Sequence, residues 1–202
     1  MNEKGILMII SGPSGAGKGT IVHELVKDDM YALSISATTR KQREYEENGV
    51  HYFFKTKEEF EKMIEENKLL EYASFCENYY GTPVDYVNEQ IENNKNVILE
   101  IEVQGALQVK EIYPDAVLVF VVPPSFDELE KRLVGRGTET PEVIANRLKR
   151  AKEEFDIIDK YDYIIINDLV ENAVENVNCI VKAEKLKAKR NLKLKKFLKG
   201  EK

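Results

Sequence analysis

The run Gly12-Pro13-Ser14-Gly15-Ala16-Gly17-Lys18-Gly19-Thr20 has the spacing G-x-x-x-x-G-K, and residues of these types in this order are suited to holding phosphate. Backbone N–H groups converge on phosphate oxygens only where glycines allow positive φ and close approach, and a following helix adds its positive N-terminal end. Lys18 would then reach the β- and γ-phosphates of a nucleoside triphosphate. Gly19 departs from the pattern, because a Ser or Thr hydroxyl usually holds Mg²⁺ there. Mg²⁺ is still expected, since transfer from ATP requires the charge between the β- and γ-phosphates to be neutralised. Thr20 and a water molecule are both candidates for the missing hydroxyl, and the direct metal ligands stay open at this stage.

Stepping outward to the elements, Gly5 to Ile10 (GILMII) is a short continuous apolar run of the kind a strand buried on both faces requires. It leads directly into the glycine-rich loop, and an amphipathic helix follows from Thr20. The same pattern predicts buried strands at Asn96 to Glu102 (NVILEIE), Ala116 to Val122 (AVLVFVV) and Tyr163 to Ile166 (YIII). Helical patterns lie between them, so the predicted fold is α/β, a parallel sheet flanked by helices. Two stretches break the alternation. Thr38 to Tyr86 is rich in Tyr, Phe and turn residues, with one short helix near Lys57 to Asn67, and reads as an inserted lobe. Ser125 to Phe155 carries Arg132, Arg136, Arg147 and Arg150 on two helical segments joined by GRGTETP, and reads as a charged lid. The division is therefore a core of residues 1–37, 87–124 and 156–202, a lobe of 38–86 and a lid of 125–155.

With 202 residues, 43% hydrophobic and 33% charged, the chain can bury one sizeable core. No apolar run approaches the roughly 18 residues that span a bilayer, and the N-terminus has no leader pattern. A soluble, cytoplasmic chain without membrane partners is expected. Cys76 and Cys179 lie far apart, with only His23 and His51 as other soft ligands, which indicates neither a disulfide framework nor a zinc site. The net charge of −6 hides an asymmetry: residues 182–202 carry ten Lys or Arg against Glu184 and Glu201, a local +8 that leaves −14 on residues 1–181. Such an acidic body argues against nucleic acid as a partner, and the basic tail reads as a solvated, Lys-rich final helix.

The acceptor of the phosphoryl group is written in the inserted lobe. Ser36-Ala37-Thr38-Thr39-Arg40-Lys41-Gln42-Arg43, Gly49-Val50-His51-Tyr52-Phe53-Phe54, Leu70-Glu71-Tyr72-Ala73 and Asn78-Tyr79-Tyr80-Gly81-Thr82 resemble, in order and spacing, the GMP-binding lobe of guanylate kinases. Ile98 to Ala106 and Leu133 to Thr140 resemble that family's central strand and lid. The resemblance covers all but about the last fifteen residues, so the domain should close near residue 186.

It implies a P-loop nucleoside monophosphate kinase that converts ATP and GMP, and dGMP, to ADP and the diphosphate, in purine metabolism and GMP recycling. By the same resemblance, Arg40, Arg43, Tyr52 and Tyr80 hold the GMP phosphate. Ser36, Glu71, Thr82 and Glu102 surround the guanine, Arg132, Arg136 and Arg147 close on the ATP phosphates, and Asn167 contacts the adenine side. The chemistry agrees: arginine forks match phosphate oxygens, tyrosine hydroxyls add oriented donors, and one carboxylate can accept both N1–H and N2–H₂ of guanine. Adenine would present an acceptor at N1 to the same carboxylate.

The rival readings are local ones. Arg40 and Arg43 could pair with Glu44, Glu46 or Glu47, and the lid arginines with Glu128, Glu130 or Glu139. Glu102 stands where the family commonly has Asp. By the two-residue strand period it shares a side with Glu100, so one of the two would meet the base and the other the catalytic centre, or the pair would simply close the strand end. Two other functions share some of these features. The sequence GKGT also occurs in adenylate kinases, which the lobe pattern disfavours, and the phosphopeptide-binding scaffold domains that resemble guanylate kinases typically have a degraded phosphate loop, whereas Gly12, Gly17 and Lys18 are present here. The oligomeric state is left open.

Overall fold

The structure, a computed structural model, describes residues 4–75, 77–135 and 140–200. The chain opens with β1 (Leu7–Ser11), α1 (Lys18–Leu25) and β2 (Tyr31–Leu33), then leaves the main sheet. The excursion contains β3 (Ala37–Thr38), β4 (Phe53–Phe54), α2 (Lys57–Glu65), β5 (Leu69–Phe75) and β6 (Asn78–Pro83). The chain returns through α3 (Val84–Glu92) to β7 (Asn96–Glu100), α4 (Val103–Ile112) and β8 (Val117–Val122). Two further helices, α5 (Phe126–Val134) and α6 (Pro141–Phe155), precede β9 (Tyr163–Ile166), α7 (Val170–Leu186) and the short α8 (Lys193–Leu198).

The main sheet has the order β2-β7-β1-β8-β9, with every pairing parallel. Parallel neighbours need crossovers, and the crossover helices cover both faces, which is why the central strands are apolar without alternation. Along β1 the period of two splits the core: Met8 and Ile10 pack with Ile21, Leu25, Val177 and Val181 on the α1/α7 face. Leu7 and Ile9 pack with Val87, Ile91, Ala106 and Val109 on the α3/α4 face. Because β7 and β8 flank β1 in register, the loops after β1 and β7 emerge side by side at the carboxyl edge of the sheet, where open α/β sheets bind ligands.

The second sheet, β4-β3-β6-β5, builds the inserted lobe around Ala37, Phe60 and Leu69, with the Phe60 and Tyr79 rings stacked at 5.2 Å. Its crossing back to the core is closed by Tyr86, whose ring meets Phe53 edge-on at 5.8 Å and whose hydroxyl donates to the Leu33 carbonyl at 3.3 Å. The lid has a small core of its own, Leu129, Leu133 and Ala151 with Phe126, Ile144 and Leu148. Ser125 and Thr140 cap its two helices by accepting from the backbone N–H of Glu128 and Val143.

Three expectations change. The strand predicted through Glu102 ends at Glu100, and Glu102 is the extended residue that precedes α4. Just past the strand, the Ile101 carbonyl accepts from the Ser11 hydroxyl at 2.7 Å. The strand period therefore does not relate Glu102 to Glu100. The basic tail is not one solvated helix: α7 ends at Leu186, and a 3₁₀ turn, Ala188–Arg190, docks it. There Glu184, 1% exposed, accepts from Tyr163 and Arg190, while Lys189 pairs with Asp115 at 2.7 Å. The third change is the four-stranded lobe sheet, in a region that the sequence showed only as turns and one helix.

Candidate active site

The P-loop takes its shape from three glycines of positive φ, Gly12, Gly15 and Gly17, and two of them are tightly hemmed in. Gly12 has φ 137°, and a Cβ there would stand 2.2 Å from the Val121 carbonyl oxygen; Gly17 has φ 88°, and a Cβ would stand 2.3 Å from the Asn167 side-chain nitrogen. Any side chain at either position would break the loop or move its neighbours. Lys18 opens α1 and folds its ammonium back over the loop, donating to the carbonyls of Gly12 and Pro13. Asn167, buried just after β9, donates from its side chain to the Ala16 carbonyl at 2.8 Å and so braces the loop from behind.

The lid arginines already reach this loop. Arg132 donates to the Asn167 carbonyl at 3.1 Å and to Glu128 at 3.0 Å, and Arg147 donates to the Ser14 hydroxyl at 2.8 Å. Glu128 is one of the local partners that the sequence offers, and Arg132 makes that contact and the Asn167 contact together. Arg136 lies outside the described residues.

Between the P-loop, the end of β7 and α6 lies a cleft of about 420 Å³. Its charged lining comprises Lys18, Arg147 and Arg150 facing Glu100, Glu102 and Glu154. Burial pushes the Glu100 carboxyl above the ordinary carboxylate range, against the opposing pull of Lys18. Burial raises Glu154 likewise, opposed by Arg150 and Lys18. A Cβ at Gly19 would lie 3.6 and 3.7 Å from the two Glu100 oxygens, so the glycine leaves room beside that carboxylate. Thr20 lines a separate groove between α1 and α7, with Glu24, Val174 and Cys179. Among the described residues no group of three or more His, Cys, Asp or Glu is placed to hold a metal alone. A Mg²⁺ held mainly by phosphate oxygens and water, with one carboxylate nearby, fits this donor set.

Arg150 and Glu154 had no assigned role in the sequence reading. The available signal was their spacing from Arg147, three and seven residues on, which puts all of them on one face of α6.

In the lobe, Arg40 makes a two-pronged pair with Glu46, at 2.7 and 3.0 Å, and lies 5.4 Å from the Tyr52 ring centre. The Tyr52 and Tyr80 rings meet edge-on at 6.2 Å. The Arg40 hydrogen bonds hold the Glu46 carboxyl down to about 2. Arg43 donates to the Tyr45 hydroxyl at 2.8 Å, while its backbone N–H joins Glu46. Of the pairings weighed from sequence, that of Arg40 with Glu46 is therefore formed.

Deeper in the lobe, Thr82 donates to Glu71 at 2.7 Å, and burial raises the Glu71 carboxyl above its ordinary range. A Cβ on Gly105 of α4 would stand 3.4 Å from the other Glu71 oxygen, so the lobe carboxylate leans against the start of α4 at the sheet's carboxyl edge. Ser36, half-buried ahead of β3, ties the lobe strands together through its backbone carbonyl, which accepts from the Phe53 N–H at 2.9 Å. Arg40, Tyr52 and Tyr80 thus form one cluster, Glu71 and Thr82 a second, and Glu102 belongs to the cleft.

The guanylate kinase family profile matches residues 4–184. The chain is 54% identical over 191 residues to guanylate kinase of Oceanobacillus iheyensis, covering 94% of this chain and 93% of that one. It is 53% identical over 192 residues to guanylate kinase of Bacillus subtilis, with 94% of each covered. The crystal structure of guanylate kinase from Anaplasma phagocytophilum superposes with a TM-score of 0.70 at 28% identity, over 93% of this chain and 90% of that one. No helix among the described residues is long and apolar enough to cross a membrane. On the strength of the profile and the close relatives, the chain belongs to the guanylate kinase family.

Proposed function

We propose that the cleft and the adjoining lobe are the two halves of one active site, in which the chain transfers the γ-phosphoryl group of ATP to GMP, giving ADP and GDP. The observation that carries this reading is the hydrogen-bonded pair of half-buried Glu71 and buried Thr82, leaning on α4 at the sheet's carboxyl edge, which also holds Lys18. An ionised Glu71 accepts two adjacent donors, which guanine offers and adenine does not.

In this reading the P-loop from Gly12 to Thr20 holds the donor phosphates through its backbone, and Lys18 meets the β- and γ-oxygens. Arg132 and Arg147, with Arg136 by resemblance, spread charge over the transferred group, and Asn167 sets the loop against the adenine side. Arg40, Arg43, Tyr52 and Tyr80 orient the acceptor phosphate. A guanidinium has five donors, so Arg40 can serve phosphate with those that Glu46 leaves. Ser36, Glu71 and Thr82 enclose the base from the lobe, and Glu102 meets it from the side of the cleft. When bound, Mg²⁺ would neutralise charge between the β- and γ-phosphates, with Glu100 as the carboxylate nearest the Gly19 gap. The acceptor oxygen of GMP is ionised at neutral pH, so the reaction needs alignment and electrostatic stabilisation rather than a general base. Residues 38–86 act as the acceptor lobe and 125–155 as the lid on a core of the remaining residues, and their closure excludes water from the transfer. ATP and GMP are intracellular nucleotides, and we place the chain in the cytoplasm.

The test is ADP formation from ATP and Mg²⁺ with GMP, dGMP, AMP, CMP and UMP in parallel. GMP is expected to exceed AMP in kcat/KM by at least about 100-fold, the scale set by leaving buried polar groups unpaired. Equal rates with GMP and AMP would overturn the guanine assignment.

A further inference from the structure

Arg150 is the cation of the cleft that the phosphate chemistry above does not employ. It lies one turn beyond Arg147 on α6, but the two point to different places. Arg147 reaches Ser14 in the P-loop, whereas Arg150 donates through Nη2 to Glu102 and through Nε to Glu154 at 3.1 Å. Arg150 and Glu154 belong to the lid helix, and Glu102 to the chain that leads into α4. This contact therefore spans from the lid to the segment against which Glu71 leans at Gly105.

Glu102 needs such a partner. Its side chain is 74% exposed and has three rotatable bonds, so unpinned it would lose that freedom each time it met a ligand. Arg150 binds one oxygen of the carboxylate, Oε2, and Glu154, with its side chain 14% exposed, anchors Arg150 from the other side. A carboxylate has two oxygens, so one held by Arg150 leaves the other to accept from a base. With Arg150 itself 55% exposed, the pair is screened by solvent, so it orients a side chain and does not serve as a structural strut.

We propose that Arg150 is a positioning residue for the acceptor site, one that holds the Glu102 carboxylate toward the base of bound GMP from its seat on the lid helix. The proposal rests on the reading that Glu102 lines the guanine pocket. It assigns Arg150 to the acceptor, in contrast to Arg147, its neighbour on the donor side.

The experiment measures KM for GMP and for ATP separately, each with the other substrate saturating, in the full-length chain, with thermal unfolding as the check on folding. Arg150→Met should raise KM for GMP about fivefold and leave KM for ATP and kcat within about twofold, the scale of one partly exposed ion pair. Arg150→Lys keeps the charge without the fork and should fall between, and it carries the measurement if Arg150→Met does not fold. Glu102→Gln should raise KM for GMP by itself, and adding Arg150→Met to it should have no further effect. A rise in KM for ATP or a fall in kcat with KM for GMP unchanged would make Arg150 a donor-phosphate cation and overturn the proposal. Unchanged constants, or effects of the two substitutions that multiply, would do the same. If Glu102→Gln leaves KM for GMP unchanged, the base role of Glu102 falls and the proposal falls with it. If Glu102→Gln acts and Arg150→Met does not, only the role of Arg150 is lost.

Discussion

A carboxylate pushed toward its neutral form by burial weakens the fold and sharpens ligand choice. Glu71 is in that position, with Thr82 as hydrogen-bond donor and burial as the larger influence. Its folded-state pKa lies above the unfolded value, so its contribution favours folding below the ordinary carboxylate range and is lost as pH rises through the raised pKa. Glu71→Gln is therefore expected to gain stability relative to the native chain between pH 4.5 and pH 7, read by urea unfolding at both values, while KM for GMP rises roughly 100-fold. Glu46 has the opposite sign. Held down to about 2 chiefly by Arg40, it supports the folded state above the ordinary carboxylate range and loses that support as pH falls toward 2. The phosphate loop was legible from sequence because close backbone approach leaves no freedom in residue type at Gly12 and Gly17. Arg150 and Glu154 were not, because a charged residue on a helix face acquires a role only when the partner across the cleft is known.

At the scale of elements, legibility followed length and burial. The buried strands β1, β7 and β8 were readable as apolar runs; β9 was readable to the residue, but as an edge strand it leaves Ile164 and Ile166 exposed instead of being buried as its apolar run suggests. β3 and β4 have two residues each, and β5 changes register against β6 between Leu69 and Tyr72, so none shows a sustained alternation. The end of β7 was misplaced because the NVILEIE pattern runs on past Glu100, while the chain turns there into α4 and the Ile101 carbonyl accepts from the Ser11 hydroxyl. The helix of the lobe, by contrast, carries its own start signal: Thr56 accepts from the Glu59 N–H at 3.1 Å while the Glu59 side chain accepts from the Thr56 N–H at 2.8 Å. Thr56→Ala should destabilise the chain by about 1 kcal/mol, seen as a lower midpoint in thermal unfolding, because it removes one half of this reciprocal cap. An unchanged midpoint would mean that tertiary packing around Phe60 alone holds α2 in place.

Across the whole molecule, the lobe and the lid each have an apolar cluster separate from the two that clothe the main sheet. Segments with their own cores can move as rigid units, the arrangement that closure over two substrates requires. Donor and acceptor recognition should then be separable: Lys18→Met is expected to lose turnover by at least about 1000-fold, while the Kd for GMP, measured by calorimetry, stays within about threefold of native. Loss of GMP binding in a folded Lys18→Met chain would show that the two halves are not independent. The crossing at Tyr86 extends this point beyond a single enzyme. The lobe leaves the core after Leu33 and rejoins it at α3 within reach of that one side chain, which touches Phe53 on the lobe and the Leu33 carbonyl on the core. An insertion with adjoining ends is a cassette. Evolution can exchange it whole, acquiring a new acceptor while the inherited phosphate-handling machinery stays as it was.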